Sequence, residues 1–289
     1  MEQGRRKRMR ELWTPGRGTL IPGAANALAA RIIEAAGFEA VLFTAAGHAN
    51  TYLGAPDMGL TSVTEVTEQV AAMRDAIDIP ILADADTGFG NALNARRTVR
   101  MMERAGADTI MLEDQVFPKR CGHFENKQIV SKAEMVNKIK AAVDARTTDV
   151  QILARTDARA IEGLAGAIER AHAYKEAGAD YLFIEAPTSL DELARIPKAL
   201  PGPHLCNMVY GGKTPIPSRQ ALSAMGFAMI CYANAALQAS MLAMQRVMRH
   251  LKENGSLEGA ESMIVSFDER QKLVDYARHV ELEQRYKAD

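Results

Sequence analysis

The feature that most restricts how this chain can fold is a rhythm. Short apolar segments alternate with longer amphipathic ones from about residue 18 to about residue 235. The apolar segments are Gly18–Pro22, Ala40–Thr44, Pro80–Asp84, Thr109–Glu113, Gln151–Arg155, Tyr181–Glu185, His204–Asn207 and Ala228–Tyr232. Each has the length of a buried strand. Helical patterns lie between them, at Ala25–Ala36, Val63–Ile77, Leu93–Ala105, Lys132–Ala145, Leu164–Ala177 and Leu190–Leu200. Such alternation predicts parallel strands inside and helices outside. Eight strands over about 230 residues favour an α/β fold of the (β/α)8 TIM-barrel type over an open, doubly wound sheet. The turns agree. The segments EAAGFEA, ERAGADT and KEAGADY put Gly37, Gly106 and Gly178 just past a helix, where a left-handed cap has no room for a side chain.

After the eighth strand the pattern changes. Residues 234–252 and 268–286 read as two long helices, separated by the turn-rich Glu253–Gly259. A plain barrel needs one closing helix, so one is surplus. The Met-rich stretch Met225–Met248 has helical spacing and suits core or interface packing. No linker divides the chain, so residues 1–289 read as one domain, and 47% hydrophobic residues are ample for its core. Lys and Arg total 35 against 36 Asp and Glu, so no global charge draws nucleic acid or an anionic membrane. The basic run Arg5-Arg6-Lys7-Arg8, with Arg10, reads as the solvated face of an N-terminal helix. No apolar run reaches the roughly 20 residues of a membrane span, and none follows the basic N-terminus as a signal peptide would require. Three cysteines without metal-finger spacing suit a reducing cytoplasm.

In such a barrel the reactive groups lie at the C-terminal strand ends and in the loops that follow. Those positions are acid-rich here. Strand three ends in Asp84-Ala85-Asp86, strand four in Glu113-Asp114, strand five in Arg155-Thr156-Asp157, strand six in Glu185 and strand seven in Asn207; Asp57 follows strand two. Burying so many carboxylates uncompensated is costly. A hard divalent cation is the simplest remedy, with Asp84, Asp86 and Glu113 as oxygen donors, one direct and two through water. A single acid here could merely cap the next helix, and Asp157 suits that role best. The loop after strand four carries Lys119-Arg120-Cys121-Gly122-His123. Positive neighbours favour the Cys121 thiolate, Gly122 permits close packing, and the long polar loop suits a lid. Cys206 and Cys231 sit in apolar strands as core residues. Among the histidines only His123 has a chemical setting.

These residues carry a resemblance. The segments GAPDMG (54–59), ILADADTGFGNALN (81–94), LEDQVFPKRCGH (112–123), ILARTDAR (152–159), IEAP (184–187) and NMVYGGKTP (207–215) resemble the isocitrate lyase/phosphoenolpyruvate mutase superfamily. The Lys-Arg-Cys-Gly-His loop is similar to its lyase branch, which includes 2-methylisocitrate lyase, 2,3-dimethylmalate lyase and carboxyvinyl-carboxyphosphonate phosphonomutase-like proteins. The resemblance implies that Asp84 binds Mg2+ (or Mn2+), that Asp86 and Glu113 hold its waters, and that Asp57 supports the site. It implies that Arg155 pairs with a substrate carboxylate, and that Thr44 with the amides of Ala45 and Ala46 holds a 2-oxo acid. Glu185 and Asn207 would line the pocket, Lys119 and Arg120 would act from the lid, and Cys121 would be its acid/base. Gly122 and His123 would touch the leaving carboxylate. It also implies a homotetramer built from two helix-swapped dimers.

The implied reaction cleaves the C2–C3 bond of a substituted malate or other 2-hydroxy dicarboxylate. A 2-oxo acid leaves, and Cys121 protonates the carbanion of the other product. Oxaloacetate hydrolysis or decarboxylation at the same site stays open. Cys121 argues against phosphonate chemistry, and the full acid set argues against a non-catalytic binder. The chain departs from the family at Leu42, where Tyr is common, at Ala45, where Gly is usual, at Tyr210, often Glu, and at Ala233, often Pro.

Overall fold

A computed structural model describes residues 2–122, 124–200 and 202–287. Eight parallel strands close into a barrel in sequence order. They are β1 (Thr19–Ala24), β2 (Val41–Phe43), β3 (Ile81–Asp84), β4 (Thr109–Glu113), β5 (Gln151–Thr156), β6 (Tyr181–Ile184), β7 (His204–Asn207) and β8 (Met229–Tyr232). Closure comes from β1 pairing with β8, with Thr19 opposite Met229. All eight fall within the apolar segments of the sequence, or within one or two residues of them.

Alternation along each strand makes two cores. Val41, Phe43, Ile81, Ala83, Ile110, Ile152 and Leu182 pack with the helix layer. Their neighbours Leu42, Leu82, Met111, Leu153, Phe183 and Leu205 pack with one another inside the barrel. The outer layer holds α2 (Ala27–Ala35), α4 (Val63–Ala76), α5 (Ala92–Arg104), α6 (Lys132–Ala145), α7 (Arg159–Glu176), α8 (Leu190–Ala199) and α9 (Arg219–Met225). A short α3 (Ala45–His48) opens the loop after β2. Gly37, Gly106 and Gly178 have φ of 84°, 93° and 104°, the left-handed caps expected of them. The helix α7 is broken at Gly163, so its regular part begins where the sequence pattern does.

Two expectations need correction. The N-terminal α1 (Glu2–Leu12) is not simply a solvated basic helix. Arg6, Met9, Leu12 and Trp13 are all buried, and Trp13 stacks on Tyr181 with ring centroids 3.9 Å apart. This segment stoppers the N-terminal end of the barrel; Lys7, Arg8 and Arg10 stay exposed. At the other end, α10 (Ala235–Asn254) is long as expected, but 268–286 is not one helix. It divides into α11 (Phe267–Leu273) and α12 (Tyr276–Arg285), because Asp275 adopts a left-handed φ of 56°. No helix among the described residues is long and apolar enough to cross a membrane.

The stopper predicts an asymmetric stability response. Trp13→Ala removes a buried aromatic and should cost about 3–5 kcal/mol, whereas Lys7→Ala on the exposed face should stay within about 0.5 kcal/mol. Urea unfolding of the two variants checks this; equal losses would contradict the stopper.

Candidate active site

The open, C-terminal end of the barrel holds a small cavity of about 50 Å³. Its polar wall comes from strand ends: Thr44 after β2, Asp84 on β3, Arg155 on β5, Glu185 after β6 and Asn207 on β7. Ala46 and Asp57 reach it from the loop after β2, and Lys119, Cys121 and Gly122 from the loop after β4. Leu42, Met111, Phe183, Leu205, Val209 and Ala233 form the apolar remainder. Asp86 and Glu113 lie behind this surface, each 2% exposed. Asp86 has a left-handed φ of 47° and donates its amide to Asp84 Oδ1 at 3.1 Å, so the turn after β3 folds both acids inward.

The loop after β4 lies across the cavity. Its base is tied by an antiparallel bridge between Gln115 and Ile129. Lys119 Nζ is 2.5 Å from Asp57 Oδ1 and 2.9 Å from Asp86 Oδ1. The Cys121 amide donates to the Asp57 carbonyl at 3.2 Å. The closest approach is at Gly122. A Cβ added there would lie 2.5 Å from both Arg155 Nη2 and Glu185 Cγ, so only glycine fits this contact.

Arg155 is the hub. Its Nε and Nη2 donate to Asp157 Oδ2 and Oδ1 at 2.9 and 3.2 Å. Its Nη1 lies 3.3 Å from Glu113 and its Nη2 3.3 Å from Glu185. The Phe183 ring packs beneath it, 5.5 Å from centroid to guanidinium. Burial alone would lower the Arg155 pKa, but Asp157, Glu113 and Glu185 raise it well above its usual value. Lys119 behaves likewise: burial opposes its charge, and Asp86, Asp57, Glu113 and Asp84 outweigh burial. The acids pay the converse cost. Burial raises the pKa of Asp84 and Glu113 and pushes Asp86 up to about 7, despite Lys119.

Several expected residues lie elsewhere. Arg120 is exposed and borders a separate surface recess with Phe117 and Asn126. Its neighbours Lys119 and Cys121 face inward, so an extended chain turns Arg120 outward; Gln115 locks its backbone through bonds of 2.8 and 3.0 Å. Ala45 is buried in α3 and does not line the cavity. Asp114 points away from the mouth and accepts from Thr156, Tyr174 and the Asp157 amide. Asp157 is no helix cap; its carboxylate is taken by Arg155 and by Lys127, whose Nζ is 2.8 Å away. Cys231 is buried as expected but also lines the cavity, whereas Cys206 packs in the outer core. His123 lies outside the described residues. Lys127 and Phe183 escaped the sequence reading: a loop lysine and a strand phenylalanine carry no local signal of such roles.

The donor set fits a hard cation. Among the described residues, six buried carboxylates, Asp57, Asp84, Asp86, Glu113, Asp157 and Glu185, gather at the mouth with Lys119, Lys127 and Arg155, and buried Lys138 lies further out toward Glu113. Glu113 Oε1 is buried without a hydrogen-bond donor, a position that a metal-held water would satisfy. Among the described residues no three His, Cys, Asp or Glu gather closely enough to hold a metal by themselves. One direct carboxylate with the others acting through water is the pattern Mg2+ commonly accepts.

Comparisons with known proteins follow the same line. The family model for phosphoenolpyruvate phosphomutase matches residues 9–252. The chain is 45% identical over 280 residues to the 2,3-dimethylmalate lyase of Eubacterium barkeri, covering 96% of this chain and 97% of that one. It is 42% identical to the 2-methylisocitrate lyase of Vibrio cholerae, covering 91% and 87%. The crystal structure of phosphonopyruvate hydrolase complexed with oxalate and Mg2+ superimposes with a TM-score of 0.86 at 30% identity, covering 99% of this chain and 98% of that one.

A pH dependence follows from Asp86. Below about pH 7 its carboxylate would hold a proton, which a cation binding beside it would displace. Mg2+ affinity of the metal-stripped protein should therefore fall about tenfold per pH unit below that point, with proton release. Titration calorimetry in buffers of different ionisation heat measures both. Affinity independent of pH, without proton release, would remove Asp86 from the metal site.

Proposed function

The chain belongs to the phosphoenolpyruvate mutase/isocitrate lyase superfamily, and from that membership we propose that it is a Mg2+-dependent carbon–carbon lyase acting on a small alkyl-substituted malate. The observation that carries this reading is the shared cavity of Asp84, Arg155 and Cys121, with Gly122 pressed on Arg155 and Glu185. Asp84 would hold the cation directly, and Asp86 and Glu113 would hold its waters; Mn2+ would serve as well. When bound, the cation supplies Lewis-acid polarisation of the substrate's hydroxyl and carboxylate oxygens. Thr44 and Ala46 hold the end that becomes the 2-oxo acid. Arg155 faces a carboxylate, with a planar fork suited to a planar anion. A base takes the 2-hydroxyl proton, the hydroxyl oxygen becomes the carbonyl oxygen of the 2-oxo acid as the C2–C3 bond breaks, the bond's electron pair goes to C3, and the Cys121 thiol protonates that carbon.

The lining supports an alkyl-substituted dicarboxylate over a tricarboxylate. Lys119 and Arg155 are the only cations among the described lining residues, and both already face acids; Arg120 faces away. Leu42, Val209 and Ala233 offer apolar surface for methyl groups. None of the three cysteines is joined in a disulfide, the state a reducing cytoplasm would maintain. A panel of substituted malates, with 2-oxo acid release as readout, tests the assignment. 2,3-Dimethylmalate should be cleaved with higher kcat/KM than 2-methylisocitrate; the reverse order would refute the dicarboxylate preference. Cys121→Ser should lower kcat by roughly 10²–10⁴ with little change in KM. Near-normal cleavage by that variant would take the thiol out of the chemistry.

Assembly belongs to the same reading. Of the long helix α10 only Val247 is buried. Met241, Met244 and Met248 on it, and Leu28 and Ile32 on α2, are 46–57% exposed. An apolar groove runs between the two helices. Isolated proteins rarely leave so much contiguous apolar surface in water. A second copy, exchanging its C-terminal helices, would cover it, and two such pairs would make the tetramer. Light scattering at micromolar concentration should give a tetramer or at least a dimer. A stable monomer would contradict the exchange.

A further inference from the structure

We propose that Lys127 is a positioning residue that latches the loop over the active site, through the same carboxylate oxygen that orients Arg155. The base of this loop is sewn to the barrel independently of Lys127. Val116 donates to the Gln128 carbonyl and Val130 to the Asp114 carbonyl, each at 2.9 Å. The segment that crosses the cavity, around Cys121 and Gly122, needs anchors of its own. On the β2 side these are Lys119 with Asp57 and Asp86, and the Cys121 amide. On the β5 side the buried anchor is Lys127. Its Nζ donates to the Gly122 carbonyl and to Asp157 Oδ1, the latter at 2.8 Å.

Burial makes this bridge consequential. The Lys127 side chain is 2% exposed and that of Asp157 fully buried. A buried ammonium is tolerated only while its partners are in place, so Lys127 stays inside only with Gly122 at the cavity. Asp157 Oδ1 also accepts from Arg155 Nη2 at 3.2 Å, and Oδ2 accepts from Nε at 2.9 Å. One oxygen therefore serves both the loop and the guanidinium. Burial would raise the Asp157 pKa, but Arg155 and Lys127 together hold it below the usual value, so the carboxylate is present as the anion both donors need. Withdrawing Lys127 frees the Gly122 carbonyl and leaves Arg155 as the remaining cation on Asp157. Loop position and Arg155 orientation are thus coupled through one atom.

The test does not require turnover, so it can fail or succeed apart from the lyase assignment. Lys127→Met and Lys127→Gln are compared with wild type and with Lys132→Met, a half-exposed lysine on α6. Hydrogen exchange is read at the amides of residues 119–126, and iodoacetamide labelling is read at Cys121 by mass spectrometry. Losing one charge-assisted hydrogen bond should shift the loop's opening equilibrium roughly ten- to hundredfold. Both exchange and Cys121 labelling should accelerate by that factor in both Lys127 variants and stay unchanged in Lys132→Met. The sign is informative. Removing a nearby positive charge without moving the loop would make the thiolate scarcer and slow labelling. Unchanged or slower labelling with unchanged exchange, in variants of near-native melting temperature, would overturn the latch. In steady-state assays on a cleaved malate, the latch predicts that kcat falls by more than KM changes. If Lys127→Met does not fold, Lys127→Gln, which removes the charge and shortens the reach to the Gly122 carbonyl but leaves a polar end in the buried site, carries the same comparison.

Discussion

The guanidinium of Arg155 is the interaction on which the mouth of this barrel depends. Asp157 holds two of its nitrogens, and Glu113 and Glu185 lie within 3.3 Å. Each of these acids is buried, and a buried charge without a partner costs several kcal/mol. Arg155 and the two lysines of the neighbouring loop, Lys119 and Lys127, are the cations set against them. The geometry comes from parallel strands. A closed parallel barrel brings every strand's C-terminal end to the same opening, so acids distant in sequence converge. Burial first, and neighbouring acids second, keep the pKa values of Asp84, Asp86 and Glu113 raised even after the protein's own cations are counted.

The opposite end of the barrel makes a one-sided cavity possible. Met9, Leu12 and Trp13 fill the N-terminal opening, and Leu82, Leu153 and Met229 continue the packing inward. Met111, Phe183 and Leu205 belong to that interior core and also line the cavity. The pocket is therefore the unfilled top of a packed column. Its floor is set by side chains whose size is fixed from below, its polar wall by strand ends, and its cover by the loops after β2 and β4.

The fold was largely legible because its signals are local and repeated. Strand length and helical periodicity recur, as does a glycine just past α2, α5 and α7, and Gly37, Gly106 and Gly178 adopt the predicted backbone. The acids of the site were legible for the same reason, since strand ends mark them. What escaped depends on which way a side chain turns at a strand end or in a loop. Glu113 turns inward while Asp114 turns out to Tyr174 and Thr156. Asp157 is taken by Arg155 and Lys127 rather than by a helix terminus. Arg6 looked like one of four equivalent basic residues, and only the docking of α1 separates it from Lys7 and Arg8. Position 275 gave no cue either: a left-handed aspartate ends α11 without a glycine or proline to announce it.

The sequence Lys-Arg-Cys-Gly makes sense once the loop is in place. An extended segment alternates its side chains, so Lys119 and Cys121 face the cavity and Arg120 faces solvent. The next residue must bring the backbone itself against Arg155 and Glu185, and both of those are held by neighbours. A Cβ at position 122 would sit 2.5 Å from each, and Arg155, gripped by three carboxylates, has nowhere to go. Adding a methyl group there would lift the loop rather than move the arginine. Because the thiol of Cys121 is one residue away, that lift would withdraw it from the cavity. The glycine thus sets the depth at which the neighbouring thiol is held, and the rigidity of the Arg155 cluster is what makes that depth definite.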